Sequence, residues 1–258
     1  MASVHPTATI DEGALLASDS VVGPYAYVGP QVELGPGVVL GPHVVVLGRT
    51  RIGARTRIHA HACLGGDPQH VDHAGEPTRL EIGSDNVIRE HVSIHLGTVA
   101  GGGCTRIGDA NWIMNACHIA HDCVVGSQVM MASFSGLAGH VVVEDHAVLG
   151  AYTGVHQHAR VGESVMAASG SKLSLDAPPF ALVAGDRARV VGLNAIGLER
   201  REFASSTIAA IRHAHHLVFR SRLRLEEALA RIEVEIASAP EVERFVRFLR
   251  GSVRGFCR

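Results

Sequence analysis

The stretch IDEGALLASDSVVGPYAYVGPQVELGPGVVLGPHVVVLGRTRIGARTRIHAHACL, residues 10 to 64, decides the fold. Its aliphatic residues fall at Ile10, Leu16, Val22, Val28, Leu34, Leu40, Val46, Ile52, Ile58 and Leu64, at unbroken intervals of six. Glycine follows several of them, as at Gly23, Gly29, Gly35 and Gly41. A period of six belongs neither to a helix nor to simple strand alternation. It is the signature of a parallel β-helix, in which each hexad forms one short face and each aliphatic side chain enters a continuous stacked core. Small or conformationally permissive residues then serve the corners.

Working outward, the same spacing resumes at Ile107, Ile113, Ile119, Val125, Met131, Leu137, Val143, Leu149, Val155 and Val161. Between the two runs lie GGDPQHVDHAGEPTRLE and GTVAGGGCTR, which lack the repeat and should leave the solenoid as loops. Long loops on a stiff scaffold commonly carry function. The repeat fades after Leu173, and Asp176 to Pro179 closes it. Helical stripes follow: Ile208, Ile211, Val218 and Phe219 within Thr207 to Arg222, then Leu225, Leu229, Ile232 and Ile236, then Val242, Phe245 and Leu249 after Pro240. The expected architecture is an all-β solenoid plus α. Residues 1–186 form a parallel β-helix with loops at about 66–81 and 95–106, and residues 187–258 form a three-helix domain that covers its end or flank.

Composition agrees with this reading. Glycine is abundant at 29 of 258 residues while aromatics are 4%, which suits short strands and tight corners. Charge is divided: residues 1–186 carry 9 basic and 17 acidic side chains, and residues 187–258 carry 14 and 8. A basic C-terminal part invites an acidic partner. The arginines lie among helical apolar positions without stacking aromatics, which argues against nucleic acid. The cysteines, Cys63, Cys104, Cys117, Cys123 and Cys257, are odd in number and form no CxxC pair. With no signal peptide and no membrane-length apolar run, free thiols in a cytoplasmic protein are expected.

If three hexads make one triangular coil, residues 18 apart lie above one another, about 4.8 Å higher per coil. Gly139 then lies over His121 and Gln157 over Gly139; His140 lies over Asp122 and His158 over His140. With His118 and His156 close by in sequence, one corner collects a polar cluster. Three chemistries fit it. A neutral imidazole can act as general base with its tautomer set by Asp122, while Gly139 offers an unobstructed N–H to a developing oxyanion. Histidines can hold zinc. The third reading is a solvated surface without chemistry.

These residues carry a resemblance. The strings VHPTA (4–8), AGEPT (74–78), NACHIAHDC (115–123), AGHVVVED (138–145), VHQ (155–157) and GLERREF (197–203) resemble the UDP-N-acetylglucosamine 3-O-acyltransferase family of lipid A biosynthesis, essentially end to end. The resemblance implies a left-handed parallel β-helix and a homotrimer with an active site in each cleft between subunits. It also implies transfer of a 3-hydroxyacyl group from acyl carrier protein to the glucosamine 3-position of a UDP-sugar, without metal or redox cofactor. By the same resemblance His121 is the general base, Asp122 orients it and the Gly139 N–H holds the oxyanion. His118, His140, His156 and Gln157 contact the substrates, and Asn194, Arg200 and Arg201 belong to the nucleotide and carrier-protein side.

By the same resemblance Ser169, with Met166, stands at the acyl-chain-length position, where a small residue should leave room for a long chain. The chain also departs from the family pattern. His70 replaces a usual aspartate and Asp72 a usual lysine, both on the acceptor-sugar side, and Ile196 stands where glutamate is common. Reversed charges there put the acceptor between UDP-N-acetylglucosamine and an altered sugar such as its 3-amino analogue. Two other readings share the fold: a zinc-dependent hydratase resembling γ-class carbonic anhydrases, and a non-catalytic solenoid that binds a UDP-sugar.

Overall fold

In the computed structural model, which describes residues 1–236 and 239–258, most strands of the solenoid are two residues long and alternate with four-residue turns. Ser3–Val4, Thr9–Ile10 and Leu15–Leu16 start a first, second and third face. The next coil repeats them, with Val21 and Val22 pairing in parallel with Ser3 and Val4. Three sheets of 11, 9 and 8 strands result, and the chain is a left-handed parallel β-helix. The first residue of each pair points outward and the second inward. Val22, Val28, Leu34, Leu40, Val46, Ile52, Ile58 and Leu64 are accordingly at most 3% exposed, each contributing about 1.5–3 kcal/mol over an exposed position. Ile10 and Leu16, in the open first coil, are only partly covered.

Most corners turn through a left-handed residue, and most of these are not glycine. Tyr25, His43, His61 and His91, all between the first and second faces, have φ of 56°, 56°, 62° and 60°. Such a conformation costs about 1–2 kcal/mol for a residue with a β-carbon. Coil-to-coil hydrogen bonds offset it: the His43 N–H donates to the Pro24 carbonyl at 3.0 Å and the His61 N–H to that of Pro42 at 3.2 Å.

Both loops leave at one corner, between the second and third faces. Arg79 pairs with Arg49, an offset of 30 rather than 18, so the first loop adds 12 residues. Ile82 pairs with Ile107, an offset of 25, so the second adds 7. The strands resume at Arg79 and Cys104, inside the expected loop boundaries. Leu80 and Thr105, both fully buried, draw those strands out to four residues.

The solenoid also extends past residue 186. Ala181–Ala184 continues the first face, and Arg189–Leu193 folds back antiparallel on it. Among its described residues the C-terminal part then holds four helices rather than three: α1 (Ala195–Arg200), α2 (Ser205–Phe219), α3 (Leu225–Glu235) and α4 (Pro240–Arg250). The unexpected α1 buries only Leu198 and so shows no periodic stripe. A second core joins Phe180 and Leu198 to Ile211, Leu217, Leu229, Phe245 and Leu249. An ionic tie fastens it to the solenoid: buried Glu163 pairs with Arg201 at 2.8 Å and with Arg244 of α4. All five cysteines are free thiols. Among the described residues no helix is long and apolar enough to cross a membrane.

Candidate active site

The strand His118–Ile119 on the second face and Val124–Val125 on the third are joined by the turn Ala120 to Cys123. This is the corner from which both loops leave. Asp122 takes the left-handed position at φ 60°, and His140 and His158 take it one and two coils on, at 61° and 63°. The His140 N–H donates to the His121 carbonyl at 3.0 Å, and the His158 N–H to that of Gly139 at 3.1 Å. Steps of eighteen are therefore vertical here.

His121 and Asp122 are both buried, and His121 Nδ1 lies 2.8 Å from Asp122 Oδ2. The carboxylate is fixed from the second loop, where the Thr98 N–H donates to Oδ1 and the Thr98 hydroxyl to Oδ2, each at 2.7 Å. A β-carbon on Gly101 would fall within about 2 Å of that carboxylate, so the loop closes this tightly only over a glycine. Burial works against ionisation of Asp122. The Thr98 and His121 hydrogen bonds outweigh it and, with nearby His140, hold its carboxyl below the usual range.

An acceptor-only carboxylate fixes the proton of a neutral His121 on Nδ1 and leaves Nε2 with a free lone pair. A β-carbon on Gly139 would stand 2.6 Å from His121 Cε1 and 2.8 Å from Nε2, so only glycine leaves the ring in place. Among the described residues the Gly139 N–H has no acceptor.

Around this pair the rings crowd. His140 lies edge-on to His121 at 5.2 Å with Nε2 3.7 Å from Asp122 Oδ2, and His158 stacks on His140 at 4.4 Å. Burial pushes the His140 imidazole below its ordinary pKa. The first loop brings His70 edge-on to His121 at 5.3 Å, and exposed Asp72 donates its N–H to His70 Nδ1 at 3.3 Å. Gln157 reaches His158 at 3.2 Å. The ligand atoms of His121, Asp122 and His140 lie within 4.8 Å of one another.

On the second face beside the corner, His118 Nδ1 is 2.9 Å from the Ser93 hydroxyl, and burial, with His95 nearby, pushes its imidazole pKa down. Above His118 the outward positions are Gly136 and Gly154, where a β-carbon would meet nothing within 4 Å. They floor an open groove of about 560 Å³ walled by His118, His156 and Lys172.

The remaining expected residues lie elsewhere on the chain. Asn194 caps α1, accepting from the Gly197 N–H at 3.1 Å, and donates to the Ser164 carbonyl at 2.9 Å. Arg201 bonds the Ser164 hydroxyl as well as Glu163, whereas Arg200 is exposed. Ser164 turns the corner between the third and first faces, from Arg160–Val161 to Met166–Ala167. Ser169 turns the corner between the first and second faces, and Met166 points outward on the first. One chain thus divides the expected residues among three corners. Thr98, Thr105, whose hydroxyl accepts from the Asp122 N–H at 2.8 Å, and His95, edge-on to His118 at 5.3 Å, escaped sequence reasoning. They lie in or beside the stretch where the seven extra residues break the register, so adding multiples of six does not reach them.

Comparison with known proteins shows the family. The model for UDP N-acetylglucosamine O-acyltransferase, domain 2, matches residues 176–257, and that for the bacterial transferase hexapeptide repeat matches residues 13–48. Acyl-(acyl-carrier-protein)–UDP-N-acetylglucosamine O-acyltransferases from Thiobacillus denitrificans and Myxococcus xanthus are 50% and 47% identical, each aligned over 100% of both chains. Among solved structures, LpxA from Acinetobacter baumannii superposes with a TM-score of 0.96 at 41% identity over 99% of each chain. A UDP-N-acetylglucosamine acyltransferase from Bacteroides fragilis gives 0.96 at 34% identity, over 98% of this chain and 99% of that one. By sequence along its whole length and by fold alike, the chain belongs to the acyl-(acyl-carrier-protein)–UDP-N-acetylglucosamine O-acyltransferase family.

Proposed function

We propose that the chain transfers a 3-hydroxyacyl group from acyl carrier protein to the glucosamine 3-position of a UDP-sugar, the first step of lipid A biosynthesis, as a cytoplasmic homotrimer with His121 as general base. The observation that carries the mechanism is the locked pair: Asp122, held twice by Thr98, accepts from His121 at 2.8 Å and leaves Nε2 free beside Gly139. His121 Nε2 takes the proton of the 3-hydroxyl as its oxygen attacks the thioester carbonyl. The tetrahedral oxyanion accepts from the Gly139 N–H. The carbon–sulfur bond then breaks, and the proton passes from Nε2 to the leaving thiolate of the carrier's prosthetic arm.

Two observations support the trimer. Asn194, Arg200 and Arg201, and separately Ser169 and Met166, lie away from the corner of His121 in one chain, and a neighbouring copy supplies what that corner lacks. An apolar strip also climbs the first face, with Trp112, Met130, Val148 and Met166 stacked in register beside the exposed rings of Phe134 and Tyr152. A contiguous apolar strip of this kind marks an interface. In the assembled site His118, His156 and Gln157 line the substrate path, and Arg200 reaches the diphosphate. Ser169 and Met166 bound the acyl chain.

A second acceptor, the 3-amino analogue, is favoured by the ring of His70 at 5.3 Å from His121, where the family usually carries a carboxylate. Its amine would receive the acyl group as an amide. The test is incubation of the protein with 3-hydroxyacyl carrier protein and each UDP-sugar. Free carrier thiol should appear one for one with acylated sugar nucleotide. Binding of the nucleotide with no thiol released would leave a non-catalytic solenoid, and the ratio of the two rates names the acceptor.

A further inference from the structure

The cluster built for proton transfer has a second chemical capacity. His121 Nδ1 lies 2.8 Å and His140 Nε2 3.7 Å from one oxygen of Asp122, and all three donor atoms fall within 4.8 Å of one another. Bonds of about 2.0–2.2 Å place tetrahedral ligands roughly 3.3–3.6 Å apart, so one ion would draw the hydrogen-bonded His121–Asp122 pair slightly apart and the farthest donor inward. We propose that His121, Asp122 and His140 form a binding site for a divalent transition-metal ion of the Zn²⁺ or Co²⁺ type, and that the metal-bound and catalytic states exclude each other.

Three observations beyond the distances support the site. Two imidazoles and a carboxylate are a donor set that suits zinc, cobalt and nickel and does not suit magnesium or calcium, which require oxygens. The carboxylate is already oriented from outside the cluster by the Thr98 N–H and hydroxyl, as the ligands of real metal sites are. The ring of His140 is braced by His158 stacked on it at 4.4 Å. Backbone bonds at the corner fix both histidines one coil apart, so the cluster forms without a metal to gather it.

The exclusion follows from the imidazole itself. A neutral ring carries one proton. While His121 donates Nδ1–H to Asp122, its Nε2 lone pair is free to accept a proton from substrate. A metal bonded to Nδ1 requires the proton to move to Nε2, and the basic atom is lost. Zinc would therefore act on this enzyme as an inhibitor, the reverse of its role in a metal hydratase.

With seventeen histidines the chain offers surface sites as well, so the test must separate the cluster from them. Apo protein, full length, is titrated with Co²⁺ and its visible absorption followed. The expected result is one intense four- or five-coordinate spectrum per chain, displaced by Zn²⁺ and untouched by Mg²⁺. His140→Asn should abolish it at stoichiometric cobalt; asparagine tolerates the left-handed backbone of that position, so folding is preserved. His61→Asn, on another corner, should leave it unchanged. Absorption surviving in His140→Asn, or lost in His61→Asn, overturns the assignment. One equivalent of Zn²⁺ should also abolish acyl transfer, with recovery on chelation, and full turnover with the cobalt spectrum present would overturn the exclusion. This last arm rests on the acyl-transfer reading, whereas the spectrum does not. A protein that binds cobalt but never turns over would sink the function and keep the site.

Discussion

Two columns of histidine run up this solenoid, and among the described residues only one meets a buried carboxylate. On the corner between the first and second faces Tyr25, His43, His61 and His91 stack at 4.9–5.0 Å with rings within 11° of parallel. On the corner between the second and third faces His121 stands at 88° to His140, which in turn stacks under His158. The corners share a backbone: in each column the ring residues His43, His61, His91, His140 and His158 occupy the left-handed position. In the first column no carboxylate pairs with His43, His61 or His91 among the described residues, and the rings face solvent. In the second, the left-handed position at His121's level is given to Asp122, which moves the imidazole one residue back and turns it across the column. A loop then lowers Thr98 onto the carboxylate. A repeated histidine is thus scenery until an acid, a bare glycine and a loop meet it at one level.

The sharpest way to break this contrast is to remove one ring from each column. His121→Ala should lower acyl transfer by roughly 10²–10⁴, while His61→Ala should leave it within about twofold, since an exposed ring without a charged partner does little. Equal losses would erase the distinction.

A third arrangement, a histidine buried with no partner for Nε2 among the described residues, occurs at His215 in α2, where burial pushes its pKa down to about 4 from 6.5. The unfolded chain binds that proton more readily. Stability is therefore full above about pH 6.5 and falls as the pH drops towards 4, by up to about 3 kcal/mol. His118 and His140, also shifted down, add to the loss with the same sign. His215→Leu should flatten the acid limb of a Tm-versus-pH curve, and an unchanged limb would place the loss elsewhere.

Next in size is the glycine pair. Gly139→Ala drives a methyl group into the His121 ring and should reduce turnover by about 10², the scale expected of an ångström's misplacement. Gly136→Ala, three residues earlier and facing open space, should not disturb the base; its effect belongs to KM. The smallest change is Thr98→Val. Losing one charge-assisted hydrogen bond while keeping the backbone one should cost about tenfold in turnover. The carboxyl pKa of Asp122 should rise, moving the acid limb of the rate profile upward. A drop in melting temperature with no change in that profile would make Thr98 merely structural.

Most of the fold was legible because the period of six is itself the architecture. Ile10 to Leu64 names the inward residue of each face, and Gly139 over His121 follows by addition. The register stayed readable above the second loop because no insertion interrupts Ile107 to Val161. Two kinds of information were not in the spacing. Thr98 and Gly101 meet Asp122 through a loop whose path is set by tertiary contact, and α1 buries too little to leave a stripe. Nor does the period say which corner the C-terminal residues join. Asn194 and Arg201 reach Ser164 only because the hairpin at Arg189–Leu193 carries the chain back.

The two insertions, of 12 and of 7 residues, enter at the same corner and leave every inward aliphatic side chain where the repeat puts it. The two excursions are therefore not equivalent. The coils hold the imidazole at a constant height, and the second excursion is tied to it, since Thr98 and Gly101 close on the Asp122 carboxylate. The first gives that carboxylate no hydrogen bond among the described residues, so its length and sequence can change without loosening the pair.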